Sequence, residues 1–206
     1  MQQIILGSSS PFRAELLQKL GLSFITAKPD IDESALANEQ PEQLVRRLAE
    51  QKAKAIASVY PEALIIGSDQ VAVIDNTIMG KPGNHDNAVK QLSVASGKTV
   101  RFLTGLALFN AKTSQMQSLV EPFNVNFRQL TLEQINGYLY KEQPYQCAGS
   151  FKSEGLGISL FSQLDGDDPN SLIGLPLIRL IDMLQHEGID ILSIYNNNNQ
   201  YVTTIN

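Results

Sequence analysis

The stretch from residue 64 to residue 82, LIIGSDQVAVIDNTIMGKP, constrains the fold more than any other part of the sequence. It opens with the apolar run 64–66, which is typical of a short buried strand, and this run ends abruptly in GSDQ, which contains Asp69. Polar residues at the end of a buried strand lie where α/β sheets usually bind their ligands. The stretch therefore predicts an α/β protein with a candidate site around Asp69.

The second half of this stretch predicts a β-hairpin. Apolar residues flank Asp75 and Asn76, and a two-residue Asp-Asn connection fits a hairpin turn. Counting outward from that turn sets Gln70 opposite Lys81 and brings Asp69 close to Lys81. An ordinary ion pair at a sheet end is one interpretation of this pair, and three further stretches favour a binding site.

The N-terminal segment predicts a site for an anion. Residues 3–6 form an apolar strand, a Gly-Ser turn follows, and Ser10 begins a helix over residues 11–20 with proline at its first position. Arg13 lies in the first turn, where the helix dipole disfavours a cation. Because helix N-termini bind anions and arginine is a bidentate donor, the segment 8–13 is predicted to hold phosphate. A solvated arginine on a short helix is the alternative.

A lysine lies within the apolar stripe of the clearest predicted helix, residues 41–59. Lys52 follows Leu48 by four residues and precedes Ile56 by four, so all three share one face. Burying a lysine is costly unless an anion or a polar cavity receives it. Lys52 therefore faces such a cavity, or its stem lies along apolar surface with the ammonium in water.

Two loops carry further polar candidates. The acidic loop 29–33 lies between elements that otherwise gather cations, and Glu33 is a candidate ligand for a metal or a water molecule. The segment 147–158, CAGSFKSEGLGI, places three glycines around Lys152 and Glu154. Glycines permit a ligand to approach the backbone closely, although the spacing matches no Walker motif.

The remaining elements follow from periodicity and turn residues: a strand at 24–26, helices at 84–95, 131–140 and 175–186, and antiparallel strands at 98–110 and 118–128. The first of these antiparallel strands is predicted to break at Gly105, and the stretch 165–171 to consist of turns. Residues 1–192 are predicted to form one domain. The Asn-rich tail, 193–206, has no apolar period and is predicted to be flexible.

Composition excludes several classes of function. A net charge of −5 argues against a surface that coats nucleic acid, although a small phosphorylated ligand needs only a few local cations. The single Cys147 and the two histidines provide neither a disulfide framework nor a Cys/His zinc pattern. No signal peptide or membrane-spanning run is evident, so the predicted location is the cytoplasm and no membrane partner is expected.

Several motifs together resemble one family. SSSPFRAELL, PDIDES, QKAKA, IIGSDQV, GKP and GSFKSEGLGI occur in this order in the Maf-like nucleotide pyrophosphatases, and the match looks particularly like the branch that hydrolyses 7-methyl-GTP. The resemblance implies an elongated α/β fold, with a mixed, twisted sheet, flanking helices and two lobes around a cleft. It also implies cleavage of a modified purine nucleoside triphosphate to its monophosphate and pyrophosphate, with Mg²⁺ or Mn²⁺, usually in a homodimer.

The resemblance also implies residue roles. Asp69 matches the general base of the family, and the phosphate-contacting positions are Ser8, Arg13, Lys52 and Lys81. Glu33 matches another polar position of the family's cleft, and Glu33 and Asp69 are the candidate metal ligands. Phe12, Gln70 and Glu154 match the positions that divide the substrate branches, and an aromatic residue, a glutamine and a glutamate are the combination for 7-methyl-GTP. These roles agree with the local anomalies, because a triphosphate carries about four negative charges that such cations would neutralise.

Other functions remain open at this point. A Maf-like pyrophosphatase for dTTP or UTP is one, and a non-catalytic, nucleotide-binding regulator of septum formation is another. An aspartyl-phosphate phosphatase would use Asp69 as a nucleophile, but the usual Asp-x-Asp pair is absent because residue 71 is valine.

Overall fold

A mixed seven-stranded sheet forms the centre of the molecule in a computed structural model that describes residues 2–193. The strands are β1 (Ile4–Gly7), β2 (Phe24–Ala27), β3 (Leu64–Ile74), β4 (Thr77–Met79), β5 (Thr99–Asn110), β6 (Gln115–Phe127) and β7 (Phe161–Asp165). Their order is β2-β1-β3-β5-β6-β7, with β4 paired to β3. β1 is parallel to both of its neighbours, and the other pairs are antiparallel. The predicted mixed α/β fold is confirmed.

Helices cover both faces of this sheet. Within residues 2–193 the α-helices are α1 (Pro11–Gln18), α2 (Pro41–Ala57), α3 (His85–Ala95), α4 (Leu132–Glu142), α5 (Pro169–Ile173) and α6 (Leu177–His186). On one face, Ala49 and Ala53 of α2 pack against Ile5. On the other face, Leu17 of α1 and Leu180 of α6 share a cluster. α3 and α4 pack on a separate cluster further along β5 and β6, which gives the molecule two lobes.

β3 is a single strand of 11 residues, and the prediction that it ends at GSDQ is wrong. The strand continues because β5 pairs with it along nearly its whole length, a long-range contact that local apolarity does not reveal. Its other edge is paired only in part. β1 ends where Gly7 pairs with Gly67, and β4 begins where Met79 pairs with Ala72. The edge at residues 68–71 therefore has no strand beside it in the described part of the sheet.

The predicted hairpin turn is confirmed. Asp75 and Asn76 adopt left-handed φ values of 47° and 61°, as a tight two-residue hairpin requires. The ladder between β3 and β4 ends at Met79, however. The predicted pairing of Gln70 with Lys81 is therefore wrong, because the chain leaves the sheet two residues before Lys81.

Close packing of α2 on the sheet depends on two glycines. A Cβ at Gly67 would overlap the carbonyl oxygen of Ala49, and a Cβ at Gly105 would overlap that of Val45. Gly105 does not interrupt β5, as the sequence suggested, but lets the helix backbone approach the strand. This approach brings Lys52 of α2 to β3.

We expect Gly67→Ala to lower the free energy of unfolding by about 2 kcal/mol or more, because the new methyl group meets helix backbone that cannot move independently. Gly137→Ala is the matched control, since Gly137 lies in α4 with open space around it. That change is expected to raise stability by up to about 1 kcal/mol through helix propensity. Urea denaturation of both variants measures the difference, and equal stabilities would contradict the packing argument.

Most predicted helix signals correspond to real helix ends. The Ser10 side chain accepts a hydrogen bond from the Arg13 backbone N–H, and Thr131 and Gln134 form the predicted capping box. β7 was not predicted, and α5 overlaps the stretch 165–171, where only turns were predicted. The predicted flexible tail lies outside the described residues apart from Ser193.

None of the helices within residues 2–193 is suited to span a membrane. Each is too short or too polar to cross a bilayer.

Candidate active site

A cavity of about 590 Å³ opens at the unpaired edge of β3, between the two lobes. It is lined by parts of α1, α2, the loop after β2, the hairpin and the loop after α4. All nine residues that the sequence singled out line it: Ser8, Phe12, Arg13, Glu33, Lys52, Asp69, Gln70, Lys81 and Glu154. Its volume is typical of a pocket for a small molecule. The structure thus brings the predicted site residues together, while their roles remain predictions.

The centre of the cavity is a buried ion pair. Lys52 Nζ lies 2.6 Å from Asp69 Oδ1 and 3.0 Å from Glu33 Oε1. The Lys52 and Asp69 side chains are only 7% and 12% exposed, whereas Glu33 is largely in solvent. Lys52 is therefore buried against carboxylates rather than extended to bulk water, and this decides between the two interpretations of its position. The ion pair therefore joins a lysine of α2 to an aspartate of β3.

Arg13 is held by a backbone carbonyl. Its Nε donates to the carbonyl oxygen of Gly174 at 2.8 Å, and its Nη1 lies 3.5 Å from Oγ of the buried Ser8. Burial lowers the pKa of Arg13, and nearby Asp69 and Glu33 act in the opposite direction. Because a neutral carbonyl rather than a carboxylate fixes this guanidinium, its positive charge stays available to an anion in the cavity.

Lys81 lies at another wall of the cavity and is exposed. Hairpin counting placed Lys81 beside Asp69, but in the described part of the chain Asp69 forms its ion pair with Lys52. In residues 2–193, no carboxylate lies within ion-pair distance of the Lys81 ammonium. Burial raises the pKa of the Cys147 thiol, and the positive charges of Lys152 and Lys81 oppose that rise. Lys81 thus faces the loop after α4 as an unpaired cation.

The candidate base-recognition residues differ in how firmly they are held. Phe12 is half-buried in the first turn of α1. Glu154 is exposed, and among residues 2–193 only Ser153 Oγ donates to it, at 3.3 Å. The Gln70 amide nitrogen, in contrast, lies within 3.2 Å of three acceptors, the Thr104 hydroxyl and the carbonyl oxygens of Ser171 and Leu172. Gln70 is therefore fixed by the protein, while Phe12 and Glu154 have side-chain surface free for a ligand.

The glycine-rich segment folds on itself. A Cβ at Gly157 would overlap the carbonyl oxygen of Lys152, and Gly149 has a φ of 71°. Lys152 Nζ donates to the Glu142 carbonyl at 3.0 Å, which ties the loop to the end of α4. At least at Gly149 and Gly157, the glycines serve the loop's own backbone instead of the close ligand approach that the sequence suggested.

Residues that sequence reasoning missed lie behind the cavity. Ser68 and Thr104 are fully buried and donate to carbonyl oxygens of the segment that follows Asp168. A signal for this segment was present, because Asp168 is a good N-cap, Pro169 suits the first helical position and Gly174 ends the helix. The five-residue helix was too short to show an apolar period.

The donor set suits a divalent cation that the substrate helps to hold. Within residues 2–193 no group of three or more His, Cys, Asp or Glu side chains forms a complete metal cage. Glu33 and Asp69 nevertheless converge on one point, which the Lys52 ammonium occupies. Mg²⁺ in nucleotide enzymes is commonly bound by one or two carboxylates, water and substrate phosphates. One buried and one exposed carboxylate that meet in a polar cleft fit that pattern.

The fold and the cleft define a class of protein, an α/β protein with an open mixed sheet and a cationic pocket suited to a phosphorylated small molecule. The family model described as Maf-like protein matches residues 3–187. The chain therefore belongs to the Maf-like family, and the resemblance predicted from its motifs is confirmed.

Named relatives support this assignment, and a solved structure resembles the fold. A 7-methyl-GTP pyrophosphatase from Idiomarina loihiensis is 60% identical over 189 residues, covering 91% of this chain and 96% of the relative. A protein of the same name from Colwellia psychrerythraea is 58% identical over 193 residues, covering 94% and 96%. The structure of the Staphylococcus aureus Ham1 protein aligns with a TM-score of 0.54 at 11% identity, covering 90% of this chain and all of that one. This last likeness concerns the fold alone.

Proposed function

We propose that the protein is a nucleoside triphosphate pyrophosphatase that converts 7-methyl-GTP to 7-methyl-GMP and pyrophosphate, and so removes a modified nucleotide. The observation that carries this proposal is the buried Asp69 carboxylate, held by Lys52 at 2.6 Å in a cleft that Arg13 and Lys81 also line. A base beside several cations is what hydrolysis of a triphosphate requires. Relatives of 55–60% identity that bear the name 7-methyl-GTP pyrophosphatase support the same substrate.

Asp69 acts as the general base in this proposal. Its carboxylate takes a proton from a water molecule whose oxygen attacks the α-phosphorus. The bond between the α-phosphorus and the oxygen bridging to the β-phosphorus breaks, and pyrophosphate leaves with the bonding electrons. Lys52 orients the carboxylate, while Arg13 and Lys81 stabilise the negative charge that builds up on the phosphates.

A divalent cation, Mg²⁺ or Mn²⁺, belongs to the proposal. Glu33 and Asp69 would hold it together with the substrate phosphates. When bound, such an ion neutralises phosphate charge and lowers the pKa of a coordinated water. Lys52 would lie beside these carboxylates and the substrate phosphates together, so it can orient Asp69 and also contribute positive charge toward a phosphate oxygen.

The base is recognised by its positive charge in this proposal. Methylation at N7 gives guanine a delocalised positive charge, and an aromatic face such as that of Phe12 attracts a cationic ring by about 0.5 to 2 kcal/mol. A carboxylate at Glu154 can accept hydrogen bonds from N1–H and the N2 amino group while it offsets the added charge. A pyrimidine offers no such pair of donors in that geometry.

A screen of common and modified nucleoside triphosphates for pyrophosphate release tests the proposed function, with Mg²⁺, Mn²⁺ or a chelator. We expect 7-methyl-GTP to be the preferred substrate and the chelator to abolish turnover. Binding without pyrophosphate release would favour the non-catalytic regulator, and preference for dTTP or UTP would favour the other branch. Label from solvent oxygen in the nucleoside monophosphate, with no trapped phosphoenzyme, would exclude the aspartyl-phosphate route.

Glu154→Gln is expected to reduce the preference for 7-methyl-GTP over GTP by roughly tenfold, about 1.4 kcal/mol, because the amide keeps the shape but loses the countercharge. Hydrolysis of dTTP, a poor substrate, should stay nearly unchanged. The measurement is kcat/KM for the three nucleotides. Glu15→Gln is the control, since Glu15 is exposed on α1 and outside the cavity. An unchanged preference ratio would remove Glu154 from base recognition.

The homodimer and the cytoplasmic location stay predictions that derive from the family resemblance and the composition. Sedimentation of the purified chain measures the first, and fractionation of the host cell measures the second.

A further inference from the structure

Neighbouring side chains of β3 face opposite sides of the sheet, and this divides the site residues between two helices. Asp69 points toward α2, where it meets Lys52. Ser68 and Gln70, one residue to either side, point toward α5 and the residues that follow it. The open edge of the strand at residues 68–71 lets one cavity reach residues on both sides. The α2 side of the sheet therefore holds the proposed base, Asp69, and the α5 side holds Ser68 and Gln70.

Three backbone carbonyls at the end of α5, those of Ser171, Leu172 and Gly174, receive the side chains on this second side. We call these three groups the carbonyl platform. Asp168 holds the platform in place from behind, because its buried carboxylate accepts hydrogen bonds from the backbone N–H groups of Asn170, at 2.8 Å, and of Ile178, at 2.7 Å. The starts of α5 and α6 are thus tied to one carboxylate, which fixes the platform relative to the sheet.

One arm of the platform fixes the phosphate side of the cavity. The Gly174 carbonyl accepts from Ser68 Oγ at 2.8 Å and from Arg13 Nε at 2.8 Å. Ser68 is fully buried and does not line the cavity. With Nε engaged and Nη1 also 3.5 Å from Ser8 Oγ, Arg13 keeps further donors on its terminal nitrogens for a phosphate oxygen.

The other arm fixes the base side of the cavity. Gln70 Nε2 donates toward the Ser171 and Leu172 carbonyls at 2.7 and 3.2 Å, and these oxygens can only accept. The buried Thr104 hydroxyl donates to the Ser171 carbonyl at 2.9 Å, so its lone pair also faces the Gln70 amide nitrogen. The amide of Gln70 therefore has one allowed orientation, with its Oε1 on the opposite side from the platform.

That orientation decides what Gln70 offers to a ligand. Every buried side-chain nitrogen or oxygen in residues 2–193 has a hydrogen-bond partner, and Oε1 of Gln70 receives no protein donor there, so Oε1 is open to the cavity. Gln70 thus presents an acceptor and no donor. Its ligand partner is a hydrogen-bond donor, and 7-methylguanine has such donors at N1 and at the N2 amino group.

We propose that the carbonyl platform sets substrate recognition indirectly, and that Thr104 and Ser68 are its two positioning residues. Thr104 keeps Gln70 facing the cavity as an acceptor, and Ser68 keeps Arg13 in place through Gly174. The two hydroxyls act through separate arms, so the base arm and the phosphate arm can be disturbed independently. This inference rests on the proposed function, because it assigns the base and phosphate ends of the same cavity.

The test compares Thr104→Val with Ser68→Ala, since each removes one buried hydroxyl that donates to the platform. For Thr104→Val we expect the kcat/KM preference for 7-methyl-GTP over dTTP to fall roughly five- to tenfold, with pyrophosphate affinity unchanged. For Ser68→Ala we expect pyrophosphate affinity to fall roughly threefold or more, with the base preference unchanged. Thr104→Ser keeps the hydroxyl and should restore the wild-type preference. Equal effects of both changes on both quantities, or no effect of either, would overturn the proposal.

A measurement on the unaltered chain keeps the proposal testable if either variant folds poorly. The side-chain amide hydrogens of Gln70 should exchange with solvent much more slowly than those of exposed glutamines in ¹⁵N-edited NMR spectra. Fast exchange would overturn the assigned orientation. Absence of pyrophosphate release from the wild type would overturn the proposed function and not the platform. The two arms could still be compared without turnover, by calorimetric measurement of the affinities of the variants for pyrophosphate and 7-methyl-GMP.

Discussion

Asp69→Asn is expected to lower the turnover of 7-methyl-GTP by roughly a hundredfold or more, the usual scale for a lost general base. Asparagine keeps the shape of the side chain, and its carbonyl oxygen can still accept from Lys52 Nζ, which lies 2.6 Å from Asp69 Oδ1. It cannot take a proton from water at neutral pH. Affinity for the nucleotide should therefore stay within a few-fold while kcat collapses, and steady-state kinetics with a separate binding titration measure both.

Asp182→Asn is the matched control for this change, because Asp182 is exposed on α6 and lies outside the cavity. The control should leave kcat unaltered and unfold at the urea concentration of the wild type, whereas Asp69→Asn should unfold at a somewhat lower one, because Lys52 loses the Asp69 charge and keeps Glu33 as its charged partner. Near wild-type turnover of Asp69→Asn would remove Asp69 from the mechanism. Loss of folding in that variant alone would show instead that the buried ion pair is mainly structural.

The candidate residues on helices could be found from sequence because each violates a local rule. Arg13 is a cation at a helix N-terminus, and Lys52 is a lysine within an apolar stripe. The N-cap signals place Arg13 in the first turn of its helix, and the apolar period places Lys52 within the buried stripe. The structure places both in one cavity, with Arg13 on a carbonyl and Lys52 on two carboxylates.

What sequence could not supply is the partner of each residue. Lys81 is closer to Asp69 along the chain than Lys52 is, and hairpin counting favoured it. Contacts between α2 and β3 determine which lysine pairs with Asp69, because Gly67 allows the helix backbone to approach the strand. Since such an approach depends on both elements at once, no single stretch of sequence predicts it.

Short elements were also not predicted from the sequence. α5 has five residues, less than two helical turns, so no apolar period can develop. Its end nevertheless provides the carbonyl platform. The glycines of the loop after α4 show a related ambiguity, because a glycine that admits a ligand and one that admits its own chain have the same sequence signature. Only the position of the Lys152 carbonyl against Gly157 identifies the second case.

Lys81→Met is expected to weaken binding of 7-methyl-GTP by roughly tenfold or more while leaving the stability of the fold nearly unchanged. Lys81 is exposed and forms no ion pair in the described part of the chain, so its whole charge is available to a phosphate. Binding of 7-methylguanosine, which has no phosphate, should be unaffected. Calorimetric titration with the nucleoside and the triphosphate measures the contrast.

Lys52→Met is the companion change, and a different result is expected because Lys52 already has two carboxylate partners, at 2.6 and 3.0 Å. Removing one member of a buried ion pair leaves the other without compensation and typically costs about 3 kcal/mol or more. Lys52→Met should therefore lower both stability and turnover, since the Asp69 carboxylate loses the group that holds it. Glu33 cannot compensate for the loss, because it is a second carboxylate beside Asp69 and repels it once the lysine is gone. Equal losses of triphosphate affinity in the two variants, with equal stabilities, would contradict this division of roles between the two lysines.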